Sequence, residues 1–209
     1  MTTLRRDAER NRQRILEAAR EGFAERGLGI TLDEIARLAG VGVGTVYRRF
    51  PNKELLLDAL FEERIGEVVA LAEDAVADED AWRGLASFLE GAVGLLASDR
   101  GLRELVLGST YSPERVVHAR TRIKPQVDQL VARAQAQGTL RPDVGASDFP
   151  LLMMMLDAVV ATTRDVDPRS WRRALGIVLD GLRAPGTASL PGAPLEVPQL
   201  ERAIRAWRP

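Results

Sequence analysis

The sequence predicts an all-α chain, with a small three-helix head followed by a larger helical body. Apolar residues recur three and four positions apart along almost the whole length, and no stretch alternates as a half-buried strand does. Helix starts are marked by capping side chains, as at Thr31-Leu-Asp-Glu34, Ser112-Pro113-Glu114 and Asp167-Pro168. The composition agrees: 45% hydrophobic, 28% charged and only 5% aromatic residues over 209 positions, the profile of a helix-rich protein with enough chain for a sizeable core.

Taken in order, the first helix is expected from about Arg10 to Arg26, with Ile15, Ala19 and Phe23 on one face and Gly27 beyond its end. A short second helix follows Thr31, whose hydroxyl and the Glu34 carboxylate form a capping box. Leu32, Ile35, Ala36 and Ala39 line its inner side, and Gly40 ends it. The third helix spans about Val43 to Phe50 and stops before Pro51. Asn52 caps a long fourth helix carrying Leu55, Leu56, Ala59, Leu60, Ile65, Val68, Val69 and Leu71. Further helices are expected at 80–98, 102–107, 113–137, 148–165 and 168–184, with Pro125 kinking or splitting its own. Residues 185–198, rich in Pro, Gly, Ala and Ser, read as a linker. Leu200, Ile204 and Trp207 beyond it predict a short terminal helix docked on the body. The expected division is 1–52 for the head, 53–184 for the body and 185–209 for the linker and last helix.

Several function classes are disfavoured. The chain has no Cys and a single His, so disulfides, thiolate metal sites and thiol catalysis are excluded. No P-loop, GxSxG or HExxH string occurs, and Gly42-Val43-Gly44 is too short for a dinucleotide loop. An enzyme relying on Asp and Glu alone stays open on residue type, but no enzyme, cofactor or metal is expected. The polar, Arg-rich start lacks the apolar core of a secretory signal, and the longest apolar run, 149–156, is far short of the roughly 20 residues of a membrane span. A cytoplasmic protein is expected.

Charge is unevenly placed. Residues 1–53 hold 11 Arg and Lys against 7 Asp and Glu, a balance of +4, and the rest of the chain carries −5. A mildly basic head on an acidic body suits nucleic-acid contact, although a solvated helix face gives the same count.

The stretch Thr31–Lys53 is the informative one. A helix-turn-helix needs a small residue where its helices cross, and Ala36 supplies it. Four positions on it needs a left-handed backbone, which Gly40 adopts without steric cost. Six further on, an apolar side chain must point into the angle, as Val46 can, with Phe50 continuing that buried face. The outer face of the third helix carries Val43, Gly44, Thr45, Arg48 and Arg49, short at the end that presses into a major groove and cationic beyond. Thr45 can bond a base edge or phosphate, the arginines can read guanine or hold phosphate, and Tyr47 can reach the DNA backbone. A purely structural corner with solvated arginines is the alternative, as is a helical adaptor whose partners are proteins.

Taken whole, TLDEIARLAGVGVGTVYRRFPNKELL over 31–56 resembles the N-terminal signature of the tetracycline-repressor (TetR) family of bacterial regulators. Ile15-Leu-Glu-Ala-Ala-Arg-Glu-Gly-Phe23 resembles its first helix. The likeness covers about residues 10–60. It implies a helix-turn-helix DNA-binding domain followed by a larger ligand-binding and dimerisation domain. It further implies a homodimer on a near-palindromic operator in double-stranded DNA, with repression released by a small molecule. Carried over by position, Val43, Gly44, Thr45 and Arg49 face base edges, Thr31, Tyr47 and Lys53 hold phosphates, and Arg48 does either. Val43 and Gly44 offer little hydrogen bonding, so specificity leans on the arginines and on DNA shape. Arg5, Arg6, Arg10, Arg12 and Arg14 read either as an arm on the DNA or as a solubilising tail.

In the body, the 149–161 segment is apolar nearly all round and must be covered on every side. Leu152, Met155 and Val159, with the Trp171, Leu175, Val178 and Leu182 stripe that follows, are the candidate subunit interface. The resemblance places the dimer at this point in the chain, and a monomer core is the alternative. Candidate pocket residues are Phe61, Trp82, Phe88, Tyr111, His118, Phe149, Met153, Met154 and Asp157, a lining suited to a largely apolar or aromatic effector. Asp157, a carboxylate in an apolar helix, needs either a cationic ligand or an Arg or helix end across the interface.

Overall fold

The computed structural model describes residues 2–98, 113–185 and 188–206. Among them it has nine α-helices and no strand: α1 Thr2–Arg26, α2 Leu32–Ala39, α3 Val43–Arg49, α4 Lys53–Ala77, α5 Ala81–Ser98, α6 Pro113–Ala136, α7 Asp148–Thr163, α8 Ser170–Leu182 and α9 Val197–Ala206. The helix expected at 102–107 lies outside the described residues. Contacts divide the chain into two compact units, residues 2–65 and residues 66–98 with 113–206, so α4 contributes to both.

In the N-terminal unit the apolar faces of α1, α2 and α3 and the start of α4 converge. Ile15, Leu16 and Phe23 from α1, Ile35 from α2, Val46 from α3 and Leu56 from α4 are all essentially removed from water. Helix α1 starts earlier than the apolar stripe predicts. Its first turns are polar and are bridged at i,i+3 by Arg10 to Asp7 and Arg12 to Glu9, both at 3.5 Å, pairs that support an exposed helix without a buried face. The basic stretch therefore continues α1 from Thr2 onward and is not a separate tail, the Arg5 side chain lying outside the described ones.

The second unit packs α5 against α6, α7 and α8. Leu85 and Leu89 of α5, Leu130 of α6, Leu156 of α7 and Trp171 and Leu175 of α8 share its core. The α4–α5 crossing is close: a Cβ on Gly84 would lie 2.4 Å from the Ala75 carbonyl oxygen. Arg133 of α6 donates to the Val76 and Asp78 carbonyls at the end of α4, where a cation offsets the exposed carbonyls and the negative pole of the helix.

Two expectations for this unit are revised. Helix α6 is continuous through Pro125, so of the kink and the split expected there the split does not occur. Helix α8 begins at Ser170, because Asp167 forms a preceding turn, its Oδ1 accepting from Arg169 N at 2.9 Å. The Pro-rich segment after α8 is tied down. Arg141 donates to the carbonyls of Gly181 and Ala188 while pairing with Asp143, which accepts from Leu190 N at 2.8 Å. Helix α9 then buries Leu200 and packs on α6. No helix among the described residues is long and apolar enough to cross a membrane, and no cluster of His, Asp and Glu among them could hold a metal.

Candidate nucleic-acid interface

The angle between α2 and α3 follows from how α2 is capped, how it turns and what is buried at the crossing. Thr31 caps α2, its Oγ1 accepting from Glu34 N at 3.3 Å while Glu34 Oε2 accepts from Thr31 N at 2.8 Å. At the other end Gly40 stands at φ +61°, and its N–H returns to the Ala36 and Arg37 carbonyls. Arg14 of α1 donates to the Gly40 carbonyl at 3.3 Å, and a Cβ at Gly40 would lie 2.8 Å from that guanidinium. Ala36 and Val46 are fully buried where the helices cross, with Phe50 almost so. Asn52 Oδ1 then accepts from Leu55 N at 2.9 Å and starts α4.

This corner leaves one side of α3 outward. Val43, Gly44, Tyr47, Arg48 and Arg49 are exposed and Thr45 is half-buried. A Cβ built on Gly44 meets nothing within 4 Å, so packing within the chain does not demand glycine there. Most polar groups on this side are already engaged. Thr45 Oγ1 accepts from Arg48 at 3.2 Å. The Thr31 hydroxyl donates to Glu34 Oε2 at 2.8 Å, and that carboxyl sits below its ordinary range because of Thr31 first. Interaction with the Asp33 carboxylate raises the Tyr47 pKa. Lys53 is half-buried with its ammonium 5.6 Å from the Phe23 ring centre; desolvation lowers its pKa and Glu34 partly offsets that. Glu34 was legible as the capping-box partner of Thr31, whereas Asp33 beside Tyr47 and Glu34 beside Lys53 escaped the sequence reading, although their place in the first turn of α2 was a usable signal.

The residues picked out in the body are less uniform. Trp82, Phe88 and Phe149 share the core of the second unit, with Met153 packed against it and the Arg183 guanidinium 4.8 Å above the Trp82 ring. Met154 is half-buried and Asp157 buried. Phe61 is buried and belongs to the N-terminal unit. Tyr111 and the His118 side chain lie outside the described ones.

Of the interface candidates only Met155, 58% accessible, points outward. Leu152, Val159 and Val178 are half-buried against the core, and Trp171, Leu175 and Leu182 face into it. The strongest apolar stripe of α8 thus covers its own unit, because burying the largest apolar area there lowers the free energy most. The outward apolar residue of α8 is Ile177, 66% accessible, which lies off the stripe of Trp171, Leu175, Val178 and Leu182.

Comparison with known proteins bears on both units. Residues 15–60 match the family described as bacterial regulatory proteins, tetR family, and residues 80–184 match the C-terminal domain of SbtR-like transcriptional regulators. A TetR transcription regulatory protein from Mycobacterium vanbaalenii is 36% identical, with 87% of this chain covering 99% of that one at a TM-score of 0.66. The SrpR transcriptional regulator of Pseudomonas putida is 32% identical over 64% of this chain and 65% of its own length. The chain spans between 28% and 65% of the length of the curated relatives it matches. FadR of Bacillus subtilis, solved with stearoyl-CoA, shares the fold at 23% identity and a TM-score of 0.65.

Proposed function

Because the chain belongs to the tetR family of bacterial transcriptional regulators, we propose that it is a cytoplasmic, non-enzymatic repressor. In this reading it acts as a homodimer on a near-palindromic operator and is released by a small, largely apolar or aromatic effector. The observation that carries the proposal is the α2–α3 corner, where Ala36, Gly40 and Val46 set the angle and Gly44, Arg48 and Arg49 are left exposed on α3.

In this reading α3 enters the major groove. Val43, Gly44, Thr45 and Arg49 meet base edges, Gly44 allowing close approach, and Arg48 reaches guanine or phosphate. Thr31, Tyr47 and Lys53 hold phosphates. Two subunits present their recognition helices about 34–36 Å apart, one turn of the duplex. They meet through α7 and α8, where Met155 and Ile177 lie outward. The effector occupies the second unit near Trp82, Phe88, Phe149, Met153 and Met154. It binds the DNA-incompetent form more tightly, and that difference in affinity is what moves α4. The apolar part of such an effector has a counterpart in the acyl chain of the stearoyl-CoA in complex with FadR of Bacillus subtilis.

The test is selection of genomic fragments on the purified protein, followed by sequencing. An enriched inverted repeat, weakened by Arg49→Ala, supports the reading. Retention that does not fall as salt rises refutes it, since each neutralised phosphate contributes about −0.9 to the slope of log K against log salt.

A further inference from the structure

Within the N-terminal unit, α4 is held to α1 in two different ways. Leu56 and Leu60 lie in the shared apolar core. One turn further on the same face stands Glu63, near the end of the unit at Ile65. Its Oε1 accepts from Gln13 Nε2 at 2.9 Å and its Oε2 from Arg20 Nη2 at 2.7 Å. Gln13 and Arg20 are seven residues apart, two turns of α1 and roughly 10.5 Å along its axis. One carboxylate is therefore gripped from both directions along α1.

This grip does what the leucines cannot. Apolar contact is non-directional and tolerates a small slide of one helix along another. Hydrogen bonds do not, because a displacement of about 1 Å lengthens one of the two beyond bonding range. We infer that Glu63 is the positioning residue that fixes the register of α4 on α1 and passes any displacement of α4 to the recognition helix. The route is contiguous: Arg14, next to Gln13, donates to the Gly40 carbonyl in the turn that precedes α3. The pair is also suited to being released. Arg20 and Glu63 keep 28% and 22% of their side-chain surface accessible, so water still reaches the pair. The inference rests on the DNA reading proposed above and assigns a residue to the coupling within it.

The experiment compares the full-length protein, Glu63→Ala, and the double swap Arg20→Glu with Glu63→Arg. Each is titrated by fluorescence anisotropy against two duplexes taken from the selected fragments, one with both half-sites and one with a single half-site. A positioning role predicts that Glu63→Ala loses about tenfold on the two-half-site duplex and less than about twofold on the single half-site. The double swap then recovers most of that loss. Equal losses on both duplexes, or none on either, overturn the assignment. A second readout needs no DNA: the chain has no cysteine, so spin labels at Glu17→Cys and Leu55→Cys, with labelled chains diluted in unlabelled ones to suppress pairs between subunits, report the α1–α4 distance. Glu63→Ala should broaden that distribution, and an unchanged width overturns the inference. A protein that retains no DNA overturns the reading of the preceding section, while the label distances still decide the role of Glu63.

Discussion

Replacing Gly44 with Ala should raise stability and lower DNA affinity at once. Gly44 is the second residue of α3, and a Cβ there meets nothing within 4 Å. The methyl group therefore costs nothing sterically inside the chain. It restricts the unfolded backbone instead, a gain of about 0.5 kcal/mol at the low end of the Gly-to-Ala range in helices. For a unit of this size that raises the unfolding midpoint by roughly 2–4 °C. In the proposed DNA complex the same methyl would stand between the helix backbone and the groove floor. Losing one close contact there costs about 1–3 kcal/mol, or roughly 5- to 150-fold in affinity. Differential scanning fluorimetry and anisotropy titration on the selected fragment measure the two quantities on one sample. Affinity that is unchanged, or that rises with the midpoint, would show that Gly44 does not approach DNA and would undo the assignment of α3 as the reading helix.

Other outcomes follow from the same geometry. Gly84→Ala places a methyl 2.4 Å from the Ala75 carbonyl, so the α4–α5 crossing must open; urea denaturation should show a loss of about 1–3 kcal/mol. Thr31→Ala removes the N-cap of α2 and should cost about 1 kcal/mol in the same assay, whereas Thr31→Ser retains the hydroxyl and stays close to wild type. Asp143 is held below the usual carboxylate range, by Arg141 first and then by the Leu190 N–H. A depressed folded pKa means its contribution is complete above the unfolded value, about pH 4, and is lost as pH falls through the folded pKa. Exchange of the Leu190 amide, corrected for its intrinsic rate, should accelerate on acidification in that range, and Asp143→Asn should exchange faster at every pH without the acid step.

What could be read from the sequence is what local chemistry decides. The capping box at Thr31 and Glu34, the left-handed Gly40 and the Asn52 cap each involve partners within four residues, so the string itself contains the interaction. The small Ala36 and inward Val46 follow from periodicity. The pairing of Arg20 with Glu63 spans 43 positions and of Arg141 with the Ala188 carbonyl 47; no local pattern announces such contacts. The same limit misdirected the reading of α8. Trp171, Leu175 and Leu182 form the stripe expected at a subunit interface, yet a stripe specifies only that something covers it, and here it is the core of their own unit. The described residues 188–196 after α8 are irregular, as a linker reading expects, and only their ties to the body were not legible. Their composition excludes regular structure without excluding order, and Arg141 and Asp143 supply the order from elsewhere.

The engagement of polar groups beside α3 bears on how affinity would be set. The Thr31 hydroxyl donates to Glu34, Arg48 donates to Thr45, and the Asp33 carboxylate acts on the Tyr47 hydroxyl. A phosphate that recruits Thr31 does not gain a new hydrogen bond; it replaces a carboxylate acceptor with another anion. The net gain from that exchange is a small difference between two charge-assisted bonds. Asp33 and Glu34 would meanwhile stand near the incoming phosphates as like charges and subtract from the attraction of Arg48, Arg49 and Lys53. Affinity on random sequence would then be low for so arginine-rich a helix. Discrimination would rest on Arg49, which has no ion-pair partner among the described residues, and on the close approach that Gly44 permits. Neutralising Asp33 should therefore strengthen binding to all sequences alike, while changes at Arg49 or Gly44 should alter the preference among them.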